Sequence, residues 1–226
     1  MVSSNYNMKH SLSQKPESRL LSYVPGRDSF DFHLGDKAVA TRNAIFLDRD
    51  GTINVEQGYL VDPDDIELNP TVGEAIYTLN HLGILTIVIT NQAAIDKKLL
   101  SVEQFERINQ RLWNVLSNKG TYYDALYFCP HSPEITPHCL CRKPKPGLIL
   151  QAAKDFDIDL SCSFMIGDKL TDIEAGRASG CKTILIRTGR GEKTYNELKD
   201  GNNILPDFVA QTLGEAVQWI SSLIQK

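Results

Sequence analysis

Ala44-Ile45-Phe46-Leu47-Asp48-Arg49-Asp50-Gly51-Thr52 is the stretch whose reading decides the fold. A short apolar run with β-branched and aromatic side chains ends in a polar turn, the pattern of a buried strand. A strand buried on both faces belongs to a parallel sheet, and the residues leaving its carboxyl end stand at the edge where open α/β sheets carry their chemistry. Asp48 and Asp50 are two residues apart and Gly51 permits a sharp turn behind them, so both carboxylates can face one pocket. The same turn also occurs as a plain solvated loop, so its meaning depends on what else reaches that edge.

Downstream the pattern alternates. Asn69-Pro70 opens a helix with apolar positions Val72, Ala75, Ile76, Leu79 and Leu82, stopped at Gly83. Leu85 to Thr90 reads as a second buried strand. Ser101 and Gln104 form a capping-box pattern for a helix carrying Phe105, Ile108, Leu112 and Val115. Ala125 to Phe128 is a strand, Leu148 to Phe156 a helix, Phe164 to Ile166 a strand, Asp172 to Ala178 a helix and Thr183 to Ile186 a strand. A last amphipathic helix runs through Leu213, Ala216, Val217, Ile220 and Ile224. This alternation predicts an α/β fold: a doubly wound, Rossmann-like parallel sheet in a single domain, residues 42–226. Residues 1–41 are rich in Ser with few apolar positions and read as a poorly ordered N-terminal extension.

Polar clusters follow these strands. Thr90-Asn91-Gln92 leaves the second, Gly167-Asp168-Lys169 with Asp172 leaves the fourth, and Arg142-Lys143 precedes the helix start at Pro146-Gly147. Each alone is an ordinary turn or cap. Their joint placement at strand exits points to one site.

Those residues resemble the motifs of the haloacid dehalogenase-like hydrolases, the aspartate-nucleophile phosphatases: Asp48-Arg49-Asp50-Gly51-Thr52, Thr90, Lys143, and Gly167-Asp168 with Asp172. Within that superfamily the chain is most similar to the D-glycero-D-manno-heptose 1,7-bisphosphate phosphatases and the related histidinol-phosphate phosphatases. That match is carried by Phe46 to Asn54, Gly58-Tyr59, Cys129-Pro130-His131, Cys139 to Pro144 and Met165 to Lys169. The chain departs from the pattern at Ala93-Ala94-Ile95-Asp96-Lys97-Lys98, where that family tends to have Ser-Gly-Ile-Ala-Arg-Gly.

The residue types fit the chemistry that the resemblance implies. A carboxylate approaching a phosphate dianion meets roughly 4 kcal/mol of repulsion per pair of unit charges at 4 Å and an effective dielectric near 20. Asp48, Asp168 and the carbonyl of Asp50 make an oxygen set suited to Mg²⁺. Lys143 and the Thr90 hydroxyl can hold phosphate oxygens. Asp48 is then the nucleophile, forming an aspartyl-phosphate, and Asp50 the acid and base. By resemblance Asp172 supports the magnesium site from behind its direct ligands, and Asn54, Gly58, Tyr59, Asn91, Gln92, Arg142, Lys143 and Lys169 contact substrate.

Cys129, His131, Cys139 and Cys141 offer three thiolates and an imidazole, the ligand set of a closed structural zinc site, with His138 in reserve. Cys162 and Cys181, beside predicted strands, read as core residues. Helices, strands and the zinc loop use up the sequence between the motifs, leaving no room for a cap domain. Specificity therefore falls to short loops.

The net charge of −4 gives no footprint for nucleic acid, and no run of roughly 20 apolar residues suggests a membrane span. A cytoplasmic monomer is expected. Arg142, Lys143, Lys169 and Lys97 supply more positive charge than one phosphate needs, which points to a bisphosphorylated sugar. The expected reaction removes the C7 phosphate of heptose 1,7-bisphosphate, serving nucleotide-heptose synthesis for lipopolysaccharide or another cell-surface polysaccharide. The alternatives are a phosphatase of histidinol phosphate or another small sugar phosphate, with Asp96 or Glu56 facing histidinol's amine, and a non-catalytic binding protein on the same fold.

Overall fold

The computed structural model describes residues 21–23, 42–199, 201 and 204–224. Among these residues seven strands form one sheet: β1 (Leu21–Tyr23), β2 (Ala44–Leu47), β3 (Leu85–Asn91), β4 (Ala125–Cys129), β5 (Phe164–Gly167), β6 (Lys182–Ile186) and β7 (Phe208–Ala210). Their order is β1-β4-β3-β2-β5-β6-β7, and every neighbouring pair is parallel except β1 with β4. The chain winds outward from β2 through β3 to β4, then crosses back to β5 and winds the other way. The gap between β2 and β5 is therefore the switch point of the sheet, where such folds open a crevice. Most of residues 1–41 lies outside the described residues; within that stretch Leu21–Tyr23 adds the antiparallel edge strand, paired from Leu21↔Phe128 to Tyr23↔Leu126.

The helices are α1 (Val72–His81), α2 (Ala93–Asp96), α3 (Val102–Ser117), α4 (Gly147–Phe156), α5 (Leu170–Ser179), α6 (Gly191–Lys199) and α7 (Leu213–Ile224). The capping box at Ser101 and Gln104 is made in both directions, at 3.1 and 2.9 Å. Gly83, two residues beyond the end of α1, has φ 68, and Gly180, closing α5, has φ 90. Side chains without a Cβ take those left-handed angles freely, so the helices stop where the sequence put glycine.

Strand parity divides the core. Ile45, Leu47, Val88, Leu126 and Ile166 pack under α1, α3 and α7, whereas Ala44, Phe46, Ile87, Ile89, Tyr127 and Met165 pack under α4 and α5. Alternation thus sends Asp48 toward the α4 and α5 side and Arg49 toward α3. Cys181 is buried as expected; Cys162, expected in the core, is exposed, because it ends a short 3₁₀ turn, Leu160–Cys162, before β5 begins.

Helix α5 lies against the sheet through Gly176. A Cβ there would stand 2.7 Å from both Met165 Cβ and Thr183 Cγ2. Gly176→Ala is therefore expected to lower stability by roughly 1–3 kcal/mol through overpacking, measured by urea unfolding; unchanged stability would mean that α5 can lift from the sheet without loss.

Candidate active site

The backbone N–H of Asp48 bonds Ile166 O at 3.0 Å, so the chain leaves β2 still held against β5. Asp48 is buried, and Lys143 reaches it from the loop before α4, with Nζ 2.8 Å from Asp48 Oδ1, 2.7 Å from Asp172 Oδ1 and 2.7 Å from Ile89 O. The Lys143 backbone is clamped in turn: its N–H donates to Asn91 Oδ1 and its carbonyl accepts from Asn91 Nδ2, both at 3.1 Å. Asn91, expected to meet substrate, lines the same pocket and fixes the lysine.

Asp168 and Asp172 come from the β5 exit and the first turn of α5. Carboxylate oxygens of Asp48, Asp168 and Asp172 lie within 4.8 Å of one another. The Lys169 ammonium sits among Asp48 Oδ2 at 3.5 Å, Asp168 Oδ1 at 3.5 Å, Asp50 O at 3.1 Å and Glu56 Oε2 at 3.0 Å. The first three are the hard oxygens read from the sequence as magnesium ligands, and a cation already gathers them. Asp168 Oδ1 is buried and accepts no hydrogen bond from the described residues, so it retains a lone pair for a metal.

The electrostatics follow from this crowding. Burial pushes the Asp168 carboxyl up to about 7, and neighbouring Asp48 adds to the push. Burial acts on Asp48 in the same direction, but Lys143 and then Lys169 outweigh it and hold Asp48 below its usual range. Burial would strip the proton from Lys143, yet Asp172 and Asp48 keep it firmly charged.

Asp50 stands at the pocket wall, where Arg49 grips it from behind. Arg49 Nε and Nη2 donate to Oδ1 at 3.0 and 2.9 Å, and Nη2 to Oδ2 at 2.8 Å. Asn54 Nδ2 donates to Oδ1 at 3.0 Å and Gln92 Nε2 to Oδ2 at 2.9 Å. Asn54 and Gln92 are therefore holders of Asp50; Gln92 also donates to Thr90 Oγ1 at 2.8 Å. A pocket of about 40 Å³ opens between Asp48, Asp50, Thr90, Lys143, Lys169 and Thr171.

One cluster escaped the sequence reading. Thr188, Gly189 and Arg190 leave β6: Thr188 Oγ1 donates to Gly51 O at 2.7 Å, and Arg190 N–H to Asp168 Oδ2 at 2.7 Å. A Cβ on Gly189 would fall 2.4 Å from Asp168 Oδ2 and 2.5 Å from Gly51 Cα, so only glycine fits there. Their position after a strand was the available signal.

The cysteine and histidine loop closes on itself. Cys129 Sγ lies 3.2 Å from Cys141 Sγ, 3.7 Å from Cys139 Sγ and 3.6 Å from His131 Nδ1, which is 3.3 Å from Cys141 Sγ. A tetrahedron with metal–sulfur bonds of about 2.3 Å places its sulfurs about 3.8 Å apart, so the four atoms fit a zinc ion. The hydrogen bond between Cys129 and Cys141 draws Cys141 down to about 5 and pushes Cys129 up. His138 is exposed and outside the cluster. Arg142 Nη1 donates to His131 O at 3.0 Å, tying the loop to the catalytic edge.

The departing segment Ala93–Lys98 is bonded to the cysteine and histidine loop. Asp96 Oδ2 accepts from Ser132 N–H at 2.8 Å and Thr136 Oγ1 at 3.0 Å. Lys97, read as a phosphate-side cation, pairs with Glu134 at 3.1 Å and hydrogen-bonds Tyr59, which is otherwise exposed. Gly58 turns at φ 77 beside it. The surplus of cations is thus smaller than the residue types suggested, since Lys143 is spent on two carboxylates and Lys97 on Glu134.

Comparison with known proteins adds to this geometry. Residues 140–216 match the HAD-hydrolase-like family model. The chain is 37% identical to the D-glycero-beta-D-manno-heptose-1,7-bisphosphate 7-phosphatase of Haemophilus ducreyi over 80% of this chain and 99% of that protein. It is 42% identical to the protein so named in Vibrio cholerae, over 74% of this chain and 95% of that one. A crystal structure of the D,D-heptose 1,7-bisphosphate phosphatase of B. bronchiseptica, complexed with magnesium and phosphate, superposes with a TM-score of 0.72 at 32% identity, covering 81% of this chain and 98% of that one. Fold and relatives together define a haloacid dehalogenase-like hydrolase that cleaves phosphoric monoesters. The chain belongs to the family of heptose-1,7-bisphosphate 7-phosphatases.

The buried triad of Lys143 with Asp48 and Asp172 sets a direct test. Lys143→Met strands two carboxylates and is expected to cost roughly 3–5 kcal/mol, read by urea unfolding in the presence of a chelator. Adding Asp172→Asn should recover part of that loss; a single variant as stable as the parent would refute the view that this lysine neutralises the cluster.

Proposed function

We propose that this enzyme removes the C7 phosphate of D-glycero-D-manno-heptose 1,7-bisphosphate through an aspartyl-phosphate on Asp48. The observation that carries the mechanism is the placement of Asp48, buried and ionised beside Lys143 2.8 Å away, in the lining of a pocket whose wall also bears Asp50. The substrate rests on the family, whose members match nearly end to end.

Asp48 Oδ attacks the phosphorus and the bond to the C7 oxygen breaks. Asp50, kept in place by Arg49, Asn54 and Gln92, gives its proton to the departing alkoxide and then takes one from the water that hydrolyses the aspartyl-phosphate. The Lys143 ammonium and Thr90 hydroxyl hold phosphate oxygens and keep the nucleophile aimed. Magnesium would be held by Asp48, Asp168 and the Asp50 carbonyl, with Asp172 behind them. When bound it supplies positive charge against the phosphate oxygens. Arg142, Lys169, Gly58 and Tyr59 contact substrate.

Zinc is the proposed occupant of the Cys129, His131, Cys139 and Cys141 cluster, where it sets the direction in which Arg142 and Lys143 leave the loop. Residues 42–226 form the catalytic domain and residues 1–41 an extension to it, in a monomeric cytoplasmic enzyme. Among the described residues no helix is long and apolar enough to cross a membrane.

Histidinol phosphate fits less well. Its amine needs a carboxylate, and the two candidates offered by the sequence are committed, Asp96 to Ser132 and Thr136, Glu56 to Lys169 and Arg190. A decayed, non-catalytic site would have lost at least one of the carboxylates or Lys143, and all are present.

Asp48→Asn should abolish phosphate release while leaving thermal unfolding close to that of the parent; near-parental turnover in that variant would exclude Asp48 as nucleophile. The substrate is decided by kcat/KM, which should be higher for heptose 1,7-bisphosphate than for histidinol phosphate, and the reverse order would overturn the assignment. Native-purified protein should contain about one zinc per chain, as a single four-ligand site requires, and Cys139→Ser should lower both zinc content and Tm. Elemental analysis finding no zinc would reject that part.

A further inference from the structure

Helix α3 buries Phe105, Ile108, Leu112 and Leu116, and in the middle of this apolar stripe stands Asn109, 1% exposed. A carboxamide in such a place is tolerated only when its polar atoms are paired. Its Nδ2 donates to Phe105 O at 2.8 Å, one turn back in the helix, which fixes the orientation of the amide. Its Oδ1 then accepts from Arg49 Nη1 at 3.2 Å.

Arg49 is itself 1% exposed, an unusual setting for a guanidinium. Strand parity sends it to the α3 side of the sheet, and α3 receives it twice, through Asn109 and through the Phe105 ring, whose centroid is 5.5 Å from Cζ. The rest of the guanidinium makes three hydrogen bonds with Asp50, at 2.8 to 3.0 Å. The Asn109 backbone is braced in turn by Tyr123, whose hydroxyl donates to Asn109 O at 3.3 Å. A continuous polar path therefore runs from the interior of α3 to the carboxylate at the pocket wall.

We propose that Asn109 is a positioning residue for the proton-transfer step: through Arg49 it fixes the Asp50 carboxyl where the leaving oxygen will be. This rests on the reading of Asp50 as the acid and base. A planar guanidinium can hold a carboxylate bidentately only if it is itself kept from rotating, and Oδ1 of Asn109 supplies the fixed point on its far edge. The role differs from packing in its signature. Loss of packing weakens the enzyme toward every substrate alike, whereas misplacing the acid harms only reactions whose leaving group needs a proton.

The test compares two phosphate esters in the intact enzyme with magnesium present. Heptose 1,7-bisphosphate releases an alkoxide that must be protonated; p-nitrophenyl phosphate releases a phenolate that need not be. The ratio of kcat/KM for the first over the second reports formation of the aspartyl-phosphate alone. Asn109→Leu, close in volume, is expected to lower this ratio at least about 10-fold, and Asp50→Asn by about 100-fold or more. The double variant should fall no further than Asp50→Asn alone, because both changes act on one step. Arg49→Lys, which keeps the charge but cannot bridge Asn109 and Asp50 together, serves as a second variant if Asn109→Leu does not fold, and should lower the ratio similarly. If both rates fall by the same factor, or neither falls, while Asp50→Asn lowers the ratio, Asn109 is only structural and the proposal is overturned. If Asp50→Asn leaves the ratio unchanged, the acid–base reading of Asp50 fails first and this proposal falls with it.

Discussion

Three carboxylates held within 4.8 Å of one another in a buried space are the constraint around which this protein is arranged. Each pair of unit charges at such a separation repels by a few kcal/mol even at an effective dielectric near 20. Asp48, Asp168 and Asp172 come from the exits of two adjacent strands, so the fold forces them together and must also offset the result. Lys143 does so from the α4 side, and its depth explains why the preceding loop is built so tightly: Asn91 grips its backbone on both sides. Lys169 does so from the open side and remains partly exposed. One cation is buried among the carboxylates, where it also lines the pocket, and the other is partly open to solvent.

The second centre solves a different problem. The loop from Cys129 to Cys141 carries few apolar side chains and cannot hold its shape by burial, so it converges on its own thiols and imidazole instead. It then runs without a break into Arg142 and Lys143. The neighbouring segment Ala93–Lys98 is stitched to it through Asp96 and Lys97, and Gln92 N–H bonds Cys129 O at 2.7 Å. Shape in the thiol loop, aim of the buried lysine and shape of the pocket rim are consequently one mechanical unit.

The elements legible in the sequence were those whose signals are local. Helices with apolar spacing and a glycine stop or capping box, α1, α3 and α5 among them, appear where their residues place them, as do the buried strands β2 to β6. What escaped was decided by distant partners. β1 and β7 have only three residues each and exist through pairing with β4 and β6. Helices α2 and α6 lack a strong apolar stripe; α6 buries only Gly191, Thr194 and Leu198. At the site, the carboxylates and Lys143 were legible because strand exits must converge at a switch point. The partners of Asp50 and the fate of Lys97 were not, since no spacing rule tells which of several nearby polar groups a flexible side chain will choose.

The two margins of the sheet have a consequence of their own. An exposed strand flank presents a row of unsatisfied backbone donors and acceptors that can recruit another polypeptide. Among the described residues the long strands β3 and β4 lie inside, and the margins are formed by Leu21–Tyr23 on one side and Phe208–Ala210 on the other, three residues apiece. On the β4 flank the chain covers itself, with a segment drawn from far upstream and running antiparallel to its neighbour. So brief a ladder gives a foreign strand almost nothing to zip against, which protects the sheet from runaway edge-to-edge growth and leaves side-chain surfaces as the route by which copies could meet.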